Sequence, residues 1–469
     1  MAPEPVTARR TTWRARVERL TTHKAVGPLL FLGAMWVAFK LTTDVAAPFV
    51  DWIDAVTSGP LRRWVGGGLD AIGLEDTWVE SLLADGLLGG VGAVLAFLPV
   101  LLSLYFALAV LEQSGYLARG AHVVDGAMRV IGLPGRAFLP MMLGFGCTVP
   151  AVLALRTLER PRDRVLAGML VPFMSCGARL PVYVLLATAF FVEHRTAAVF
   201  GMYVLGMVVA AVLGAVLGRT IMRSPLHTPA PFEAPPLRLP TPGMVWSLVR
   251  RRTVDFLRDA GTVILLASMV VWLLLAVPVR GGGFGTADVE DSAFAAVSRV
   301  AAPALAPLGF GDWQQAGALA SGLVAKEVIV SSLALTYGQS DGDEAPGEHG
   351  FWTDLGEIGG GFFDATAHAL RSIPSIVGVD LNGDAGEHPA SLIGSVRAGF
   401  EESSGGNGAA AGLAFMVFVL LYTPCAAALA ALRRELGARW MTIAASGQLV
   451  LAWVMSFLAY RLAVLAGLG

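Results

Sequence analysis

The chain has 469 residues, of which 55% are hydrophobic and only 15% are charged. Soluble domains carry about a quarter charged residues, so this composition excludes an ordinary soluble enzyme. The net charge of −2 provides no basic field that would attract nucleic acid, which is therefore excluded as a partner. We expect an all-α polytopic membrane protein that lies in membrane lipid.

The elements follow from the apolar runs, because about 18 consecutive apolar residues are enough for a membrane span. Residues 1–25 form a basic N-terminus that lacks the cleavage site of a signal peptide. Residues 26–87 hold a first span at 26–42 and an acidic loop. The further predicted spans are 88–111, 165–191, 196–218, 261–279, 411–432 and 441–467.

The charges of the loops predict the topology, because cytoplasmic loops are rich in arginine. The arginine clusters lie in residues 1–25, 156–164, 219–260 and 433–439. The acidic segments 43–86 and 338–410 are predicted to be external. The apolar runs 138–155 and 315–337 each begin and end on one side, which indicates re-entrant segments. The N-terminus is then cytoplasmic and the C-terminus external.

The two halves of the chain have the same predicted order of elements. Residues 88–218 and residues 261–467 each contain a span, a re-entrant segment and two spans, entered from opposite sides. This order is typical of the inverted-topology repeats of secondary transporters, which bind their substrate at broken helices near the midplane. A Pro- and Arg-rich cytoplasmic linker, 219–260, joins the halves. The external insertion 338–410 is interpreted as a solvated acidic loop.

Four segments combine helix breakers with polar or sulfur-containing side chains: 144–150, 172–181, 322–328 and 422–425. A break in a span leaves backbone groups unpaired, which is tolerated only inside protein or beside a cavity. A short match between 173–180 and 422–429 aligns Cys176 with Cys425. These segments are therefore the candidate sites.

The three cysteines, Cys147, Cys176 and Cys425, lie beside glycine or proline in three different breaks. Thiolates and thioethers suit soft or borderline metal ions, so the cysteines are candidate metal ligands, joined by the neighbouring Met174. The simpler interpretation remains open: buried cysteines are small hydrophobic residues, and methionine at helical spacing usually packs.

Four charged residues lie in or beside the apolar runs. Glu327 is a candidate cation ligand, and its neighbour Lys326 is a candidate gate residue or structural counter-ion. Arg179 is interpreted as structural, neutralising backbone carbonyls or an acidic partner, and Glu112 as an interfacial residue at the end of a span.

Taken together, these motifs resemble the membrane domain of FeoB-type ferrous iron transporters. The resemblance covers about residues 20–467 and rests on LEQSGYLAR (111–119), GLPGRAFLP (132–140), GFGCTVPAV (144–152), VPFMSCGARLPVY (171–183), LVAKEVIV (323–330) and LYTPCAAALAALRRELG (421–437). In that family these motifs form two gate repeats. The halves of this chain are therefore expected to be inverted gate repeats, preceded by one additional N-terminal span.

The resemblance implies Fe²⁺ import across the bacterial cytoplasmic membrane, with Fe²⁺ as the transported ion and the three cysteines and Glu327 on its path. Thr148 stands where many relatives have asparagine, and Ser175 and Tyr422 are further polar residues of the gate motifs. Family members carry a GTP-binding domain, but this chain contains no GxxxxGK[ST] motif. We therefore expect no nucleotide on this chain, a separate GTPase subunit, a small FeoA-like accessory protein and a possible homo-oligomer.

Cysteines staged along a path, or a transient two-cysteine site, fit a labile Fe²⁺ ion better than a preassembled three-cysteine site, which would favour Zn²⁺ or Cu⁺. Two alternatives remain open at the sequence level. One is a nucleoside or organic-solute transporter of related gate architecture, and the other is a membrane scaffold that transports nothing. No nucleophile motif of a membrane enzyme is present.

Overall fold

The computed structural model describes residues 26–74, 77–116, 125–220, 240–280, 283–285, 288–337, 350–372 and 390–468. Within these ranges the chain is helical, and no strand forms beyond one isolated bridge between Pro278 and Ser292. The predicted all-α fold is therefore confirmed. The basic N-terminus 1–25 and the proline-rich residues 221–239 of the linker lie outside the described residues.

Consecutive helices are numbered along the chain. The first part comprises α1 (Val26–Asp44), α2 (Ala47–Ser58), α3 (Pro60–Asp70), α4 (Trp78–Gln113), α5 (Asp125–Val130), α6 (Phe138–Gly146), α7 (Thr148–Leu153), α8 (Pro161–Leu170), α9 (Leu180–Phe190) and α10 (Arg195–Arg219). The second part comprises α11 (Pro242–Ala276), α12 (Ala293–Leu305), α13 (Trp313–Ser321), α14 (Val328–Tyr337), α15 (Phe351–Ser372), α16 (Ala390–Ser403), α17 (Gly408–Leu421), α18 (Ala426–Leu436) and α19 (Ala438–Leu465).

Six helical stretches in the described residues are long and apolar enough to cross a membrane: Trp78–Gln113, Pro161–Phe190, Val192–Arg219, Pro242–Ala276, Gly408–Leu436 and Ala438–Leu465. They contain 28 to 36 residues, which corresponds to about 42–54 Å of helix at 1.5 Å per residue. A bilayer core is about 30 Å thick. The protein is therefore a multi-pass membrane protein, as predicted.

The order of long helices and helix breaks recurs in the two halves. In the first half, α4 is followed by a pair broken at Cys147 (α6 and α7), a pair broken around Cys176 (α8 and α9), and the unbroken α10. In the second half, α11 is followed by a pair broken at residues 322–327 (α13 and α14), a pair broken at 422–425 (α17 and α18), and the unbroken α19. The helical pair α12 and α13 is bent by 104°.

Both predicted external loops contain helices, so their interpretation as plain loops is wrong. Segment 43–87 holds α2, α3 and the first turns of α4, while segment 338–410 holds α15 and α16. The physical reason is that the two segments pack against each other: the Trp52 and Phe362 rings are 5.3 Å apart, and Arg63 pairs with the buried Asp354 at 2.5 Å. The acidic composition of the two segments gave no indication of these contacts.

The linker prediction needs a similar correction, because α11 begins at Pro242 rather than at residue 261. Proline suits the first turn of a helix, where its missing N–H has no partner to lose. The arginines Arg250, Arg251 and Arg252 are therefore on a helix rather than on an extended linker.

The helix α17 forms the centre of the molecule. It is apolar on all sides, and nearly all of its residues are buried, as expected of a helix surrounded by protein. It packs against α19, α16, α9 and α10. Because α17 ends at Leu421, just before the 422–425 break, the most buried helix leads directly to Cys425.

Gly206 allows α10 to approach the break around Cys176. A Cβ atom at Gly206 would lie 2.5 Å from the Phe173 carbonyl oxygen and 3.2 Å from Leu420. We expect Gly206→Ala to lower the free energy of unfolding by about 1–3 kcal/mol, as overpacking does. Gly201→Ala on the same helix is the matched control, because nothing lies within 4 Å of its Cβ position. Thermal unfolding in detergent measures both; equal melting temperatures would contradict the expectation.

Candidate ion-binding site at the helix breaks

Each cysteine immediately precedes a helical segment. Cys147 precedes α7, Cys176 precedes the 3₁₀ turn that leads into α9, and Cys425 precedes α18, and all three have extended backbone conformations. Proline explains part of the break before Cys425, because it disfavours a helical conformation in the residue before it. Pro424 acts in this way on Thr423, which lies between α17 and Cys425 outside any helix. The predicted breaks at the cysteines are therefore confirmed.

The folding of the chain brings these breaks together. A Cβ atom at Gly144 would lie 2.8 Å from the Met174 Cβ, so the Cys147 and Cys176 breaks are in contact. The helices α7 and α18, which follow Cys147 and Cys425, pack against each other. The three cysteines are half-buried and Glu327 is exposed, whereas their neighbours Ser175 and Lys326 are buried. The candidate ligands are therefore accessible side chains in breaks that contact one another.

The geometry is that of separate groups rather than a closed metal cage. In the described residues, no three His, Cys, Asp or Glu side chains approach closely enough to hold a metal ion. The three cysteines and Glu327 are therefore separate accessible groups in neighbouring breaks.

Arg179 holds the first-half break in place. The side chain is 1% exposed, and Nη1 donates hydrogen bonds to the carbonyl oxygens of Pro172 at 3.2 Å and Met174 at 3.3 Å. Ser175 Oγ donates to Tyr183 Oη at 3.2 Å. These contacts satisfy backbone carbonyls that the break leaves without helical partners, so the geometry supports a structural role for Arg179.

Lys326 holds the second-half break in a similar way. Its Nζ donates to the Thr423 carbonyl oxygen at 2.8 Å and lies over the ring of Tyr422. Tyr422 Oη in turn donates to the Leu319 carbonyl oxygen at 3.3 Å. The segments 322–328 and 422–425 are further joined by a backbone hydrogen bond from Ala426 to Leu323 at 2.7 Å. Lys326 is thus held by the 422–425 break, while the neighbouring Glu327 is exposed.

The remaining predicted residues have different surroundings. Met174 is buried against Gly144, where a Cβ atom would lie 2.8 Å from the Met174 Cβ, so its carbon atoms pack against the Cys147-bearing segment. Thr148 is buried as the first residue of α7. Glu112 lies away from the cysteines and pairs with Arg252 at 2.8 Å. Ligand roles for Met174 and Thr148 stay predictions.

Two ion pairs join the halves at the arginine-rich end. Arg156, just after α7, pairs with Glu435 on α18 with a shortest N–O distance of 2.6 Å. Arg252 on α11 pairs with Glu112 at the end of α4. Charged side chains on or beside four helices from both halves therefore pair at this end.

Sequence reasoning missed three tyrosines near the cysteines. Tyr203 on α10 stacks on Phe145, and Tyr183 on α9 accepts a hydrogen bond from Ser175, so each ring contacts a cysteine-bearing motif. Tyr105 on α4 follows Leu104, which a Cβ atom at Gly146 would approach to 3.1 Å. Tyr105 and Tyr203 occur in apolar spans that the sequence motifs do not include. The available signal was a phenolic hydroxyl in the middle of an apolar span, since such a group needs a partner or a cavity.

Comparison with known proteins places this arrangement in a family. The Gate model, described as "Nucleoside recognition", matches residues 94–190 and 257–439, which is more than half of the chain. The model described as "Ferrous iron transport protein B C terminus" matches residues 199–252. No solved structure matches the chain.

Curated relatives agree with these matches. The chain is 33% identical to the "Fe(2+) transporter FeoB" of Staphylococcus aureus (strain COL) over 95% of this chain and 59% of that protein. It is 33% identical to that of Methanocaldococcus jannaschii over 96% and 59%. A "Fe(2+) transport protein A/Fe(2+) transporter FeoB fusion protein" of Porphyromonas gingivalis is 32% identical over 96% and 51%. The chain thus spans about three-fifths or less of the length of these relatives. On these matches it belongs to the FeoB family and carries the Gate domain of that family.

Proposed function

We propose that this protein transports Fe²⁺ across the bacterial cytoplasmic membrane along a path formed by Cys147, Cys176, Cys425 and Glu327. The observation that carries the proposal is that these four accessible groups lie in helix breaks that contact one another, through Gly144 and Met174, through α7 and α18, and through Lys326 and Thr423. Thiols and a carboxylate suit a borderline cation such as Fe²⁺. The names of the relatives, Fe(2+) transporters, support the same ion. The protein then acts as a transporter rather than as an enzyme.

We further propose that the two halves are inverted gate repeats and that the path runs between them. The recurring order of long helices and breaks supports this arrangement. The halves also pack directly on each other, since α7 contacts α18 and α9 contacts α17. The arginine-rich end is the cytoplasmic end, and the helices α2, α3 and α15 lie outside, which leaves the C-terminus external.

The proposed partners are a cytoplasmic GTPase and a small FeoA-like protein. The matched relatives are longer than this chain, and one of them is named as a fusion of Fe(2+) transport protein A with FeoB. The basic cytoplasmic end is the proposed docking region for both. Association with membrane lipid follows from the spans, and a homo-oligomer stays a prediction.

Single cysteine variants test the path. We expect Cys147→Ser, Cys176→Ser and Cys425→Ser each to lower the initial rate of ⁵⁵Fe²⁺ uptake by about three- to tenfold, because a hydroxyl binds a borderline metal more weakly than a thiol does. Uptake is measured in an iron-transport-deficient bacterium that also expresses the candidate GTPase, with equal membrane levels of each variant.

Met416→Leu is the matched control, since it removes a buried sulfur from the core of α17 at nearly constant volume. Its uptake should equal that of the wild type. Wild-type rates in all three cysteine variants would contradict the cysteine path. No iron uptake by the wild type, with or without the GTPase, would contradict iron transport itself.

Nucleoside transport is the second candidate function, and the description of the matched Gate model favours it. A nucleoside site is expected to use amide and carboxylate side chains that hydrogen-bond bases and sugars, whereas the breaks carry one carboxylate and no asparagine or glutamine. Uptake of radiolabelled uridine by the same cells distinguishes the two functions. Saturable uridine uptake in place of iron uptake would support the second one.

A further inference from the structure

We propose that the hydroxyl of Tyr203 belongs to the ion path, where it hydrogen-bonds a water molecule carried by a partly hydrated divalent cation between Cys147 and Cys176. This inference rests on the proposed Fe²⁺ path and deepens it. It assigns a specificity role to a residue in a span that otherwise consists of apolar and small side chains.

The position of the Tyr203 ring is the first observation. It stacks on Phe145, two residues before Cys147, with the ring centroids 6.3 Å apart. Its other neighbour is Tyr183, which it meets edge-on at 6.4 Å and which follows Cys176 in the same motif. The ring therefore lies between the two cysteine-bearing breaks of the first half.

The state of the hydroxyl is the second observation. Tyr203 Oη is buried and has no hydrogen-bond partner in the described part of the chain. The neighbouring Tyr183 hydroxyl, in contrast, accepts a hydrogen bond from Ser175, the residue before Cys176. A buried hydroxyl without a partner is unfavourable by about 1–3 kcal/mol, so its presence next to the two cysteine-bearing motifs is explained best by a partner that arrives with the substrate.

The chemistry of the partner follows from the groups present. A neutral phenol accepts a hydrogen bond from a metal-bound water and can donate one to a thiol sulfur. Retained water keeps Fe²⁺ from being bound by several sulfurs at once, which would trap it. Zn²⁺ has a strong preference for thiolate ligands, so it depends less on a group that stabilises bound water.

Tyr203→Phe removes only the oxygen and keeps the ring contacts. We expect it to lower the initial rate of ⁵⁵Fe²⁺ uptake by about three- to tenfold, the effect of one hydrogen bond. The rate of ⁶⁵Zn²⁺ uptake should change less than twofold, so that the Fe²⁺/Zn²⁺ ratio falls. The melting temperature of the purified protein should stay equal or rise, because an unsatisfied buried group is lost.

Tyr460→Phe is the matched control, because its hydroxyl donates to the Ser404 carbonyl oxygen on the other side of the molecule. Iron uptake by this control should equal that of the wild type. Unchanged iron uptake and an unchanged metal ratio in Tyr203→Phe would overturn the inference while leaving the iron path intact. A lower melting temperature with parallel losses of both metals would also overturn it, because it would show a structural role. Absence of iron uptake in the wild type would overturn the path and the inference together.

Discussion

Replacement of Glu327 by glutamine is expected to lower the initial rate of Fe²⁺ uptake by at least about tenfold, which corresponds to about 1.4 kcal/mol. Glu327 is the one carboxylate in the four break segments 144–150, 172–181, 322–328 and 422–425. A single charge interaction at 4 Å amounts to about 4 kcal/mol at an effective dielectric constant of 20. Partial loss of this attraction is sufficient for the expected effect.

The glutamine side chain has nearly the same shape, so packing at the break should persist. Uptake of ⁵⁵Fe²⁺ in whole cells, normalised to the amount of protein in the membrane, measures the effect. Glu193→Gln is the matched control, because Glu193 is exposed in the turn between α9 and α10. Wild-type uptake by Glu327→Gln would exclude the carboxylate from the path, and an equal loss in Glu193→Gln would show a non-specific effect.

Replacement of Arg179 by glutamine is expected to produce the largest loss of stability. The side chain is buried and donates two hydrogen bonds to carbonyl oxygens of the break, those of Pro172 and Met174. Hydrogen bonds from a charged group contribute roughly 1.5–3 kcal/mol each, so the free energy of unfolding should fall by about 3 kcal/mol or more.

Thermal unfolding in detergent, together with the monodisperse fraction in size-exclusion chromatography, measures the effect. Arg195→Gln is the matched control, since Arg195 lies exposed at the start of α10. An unchanged melting temperature in Arg179→Gln would show that the break holds its conformation without the arginine.

Much of the architecture could be predicted from the sequence because the membrane makes composition informative. Apolar runs and arginine clusters located the spans, and glycine and proline located the breaks at Cys147, Cys176 and Cys425. Helix ends were predicted less well: α4 and α11 begin 10 and 19 residues before the predicted positions 88 and 261. Both helices begin before their apolar runs. The helical conformation of these first residues depends on packing against other helices, which hydropathy does not reveal.

The remainder depended on long-range contacts. Nothing in the acidic segment 338–410 indicates that Asp354 is buried against Arg63 and Trp64, almost 300 residues away. The position of Tyr203 beside two breaks likewise arises from the packing of α10, since its local sequence is that of an ordinary span. Charge patterns in the sequence could locate candidate ligands. The neighbours of a residue in a uniformly apolar helix, in contrast, could be identified only from the three-dimensional structure.

The ion pairs Arg156–Glu435 and Arg252–Glu112 also bear on how readily the two halves separate. Ion pairs between exposed side chains contribute roughly 0.2–1 kcal/mol each, and Arg156, Arg252 and Glu112 are at least one-third exposed while Glu435 is 10% exposed. A combined contribution of about 2 kcal/mol changes the ratio of the joined to the separated form by about thirtyfold, in addition to the packing of α7 against α18. A binding partner with a roughly thirtyfold preference for the separated form would therefore offset the two ion pairs and leave the packing of the halves to oppose separation.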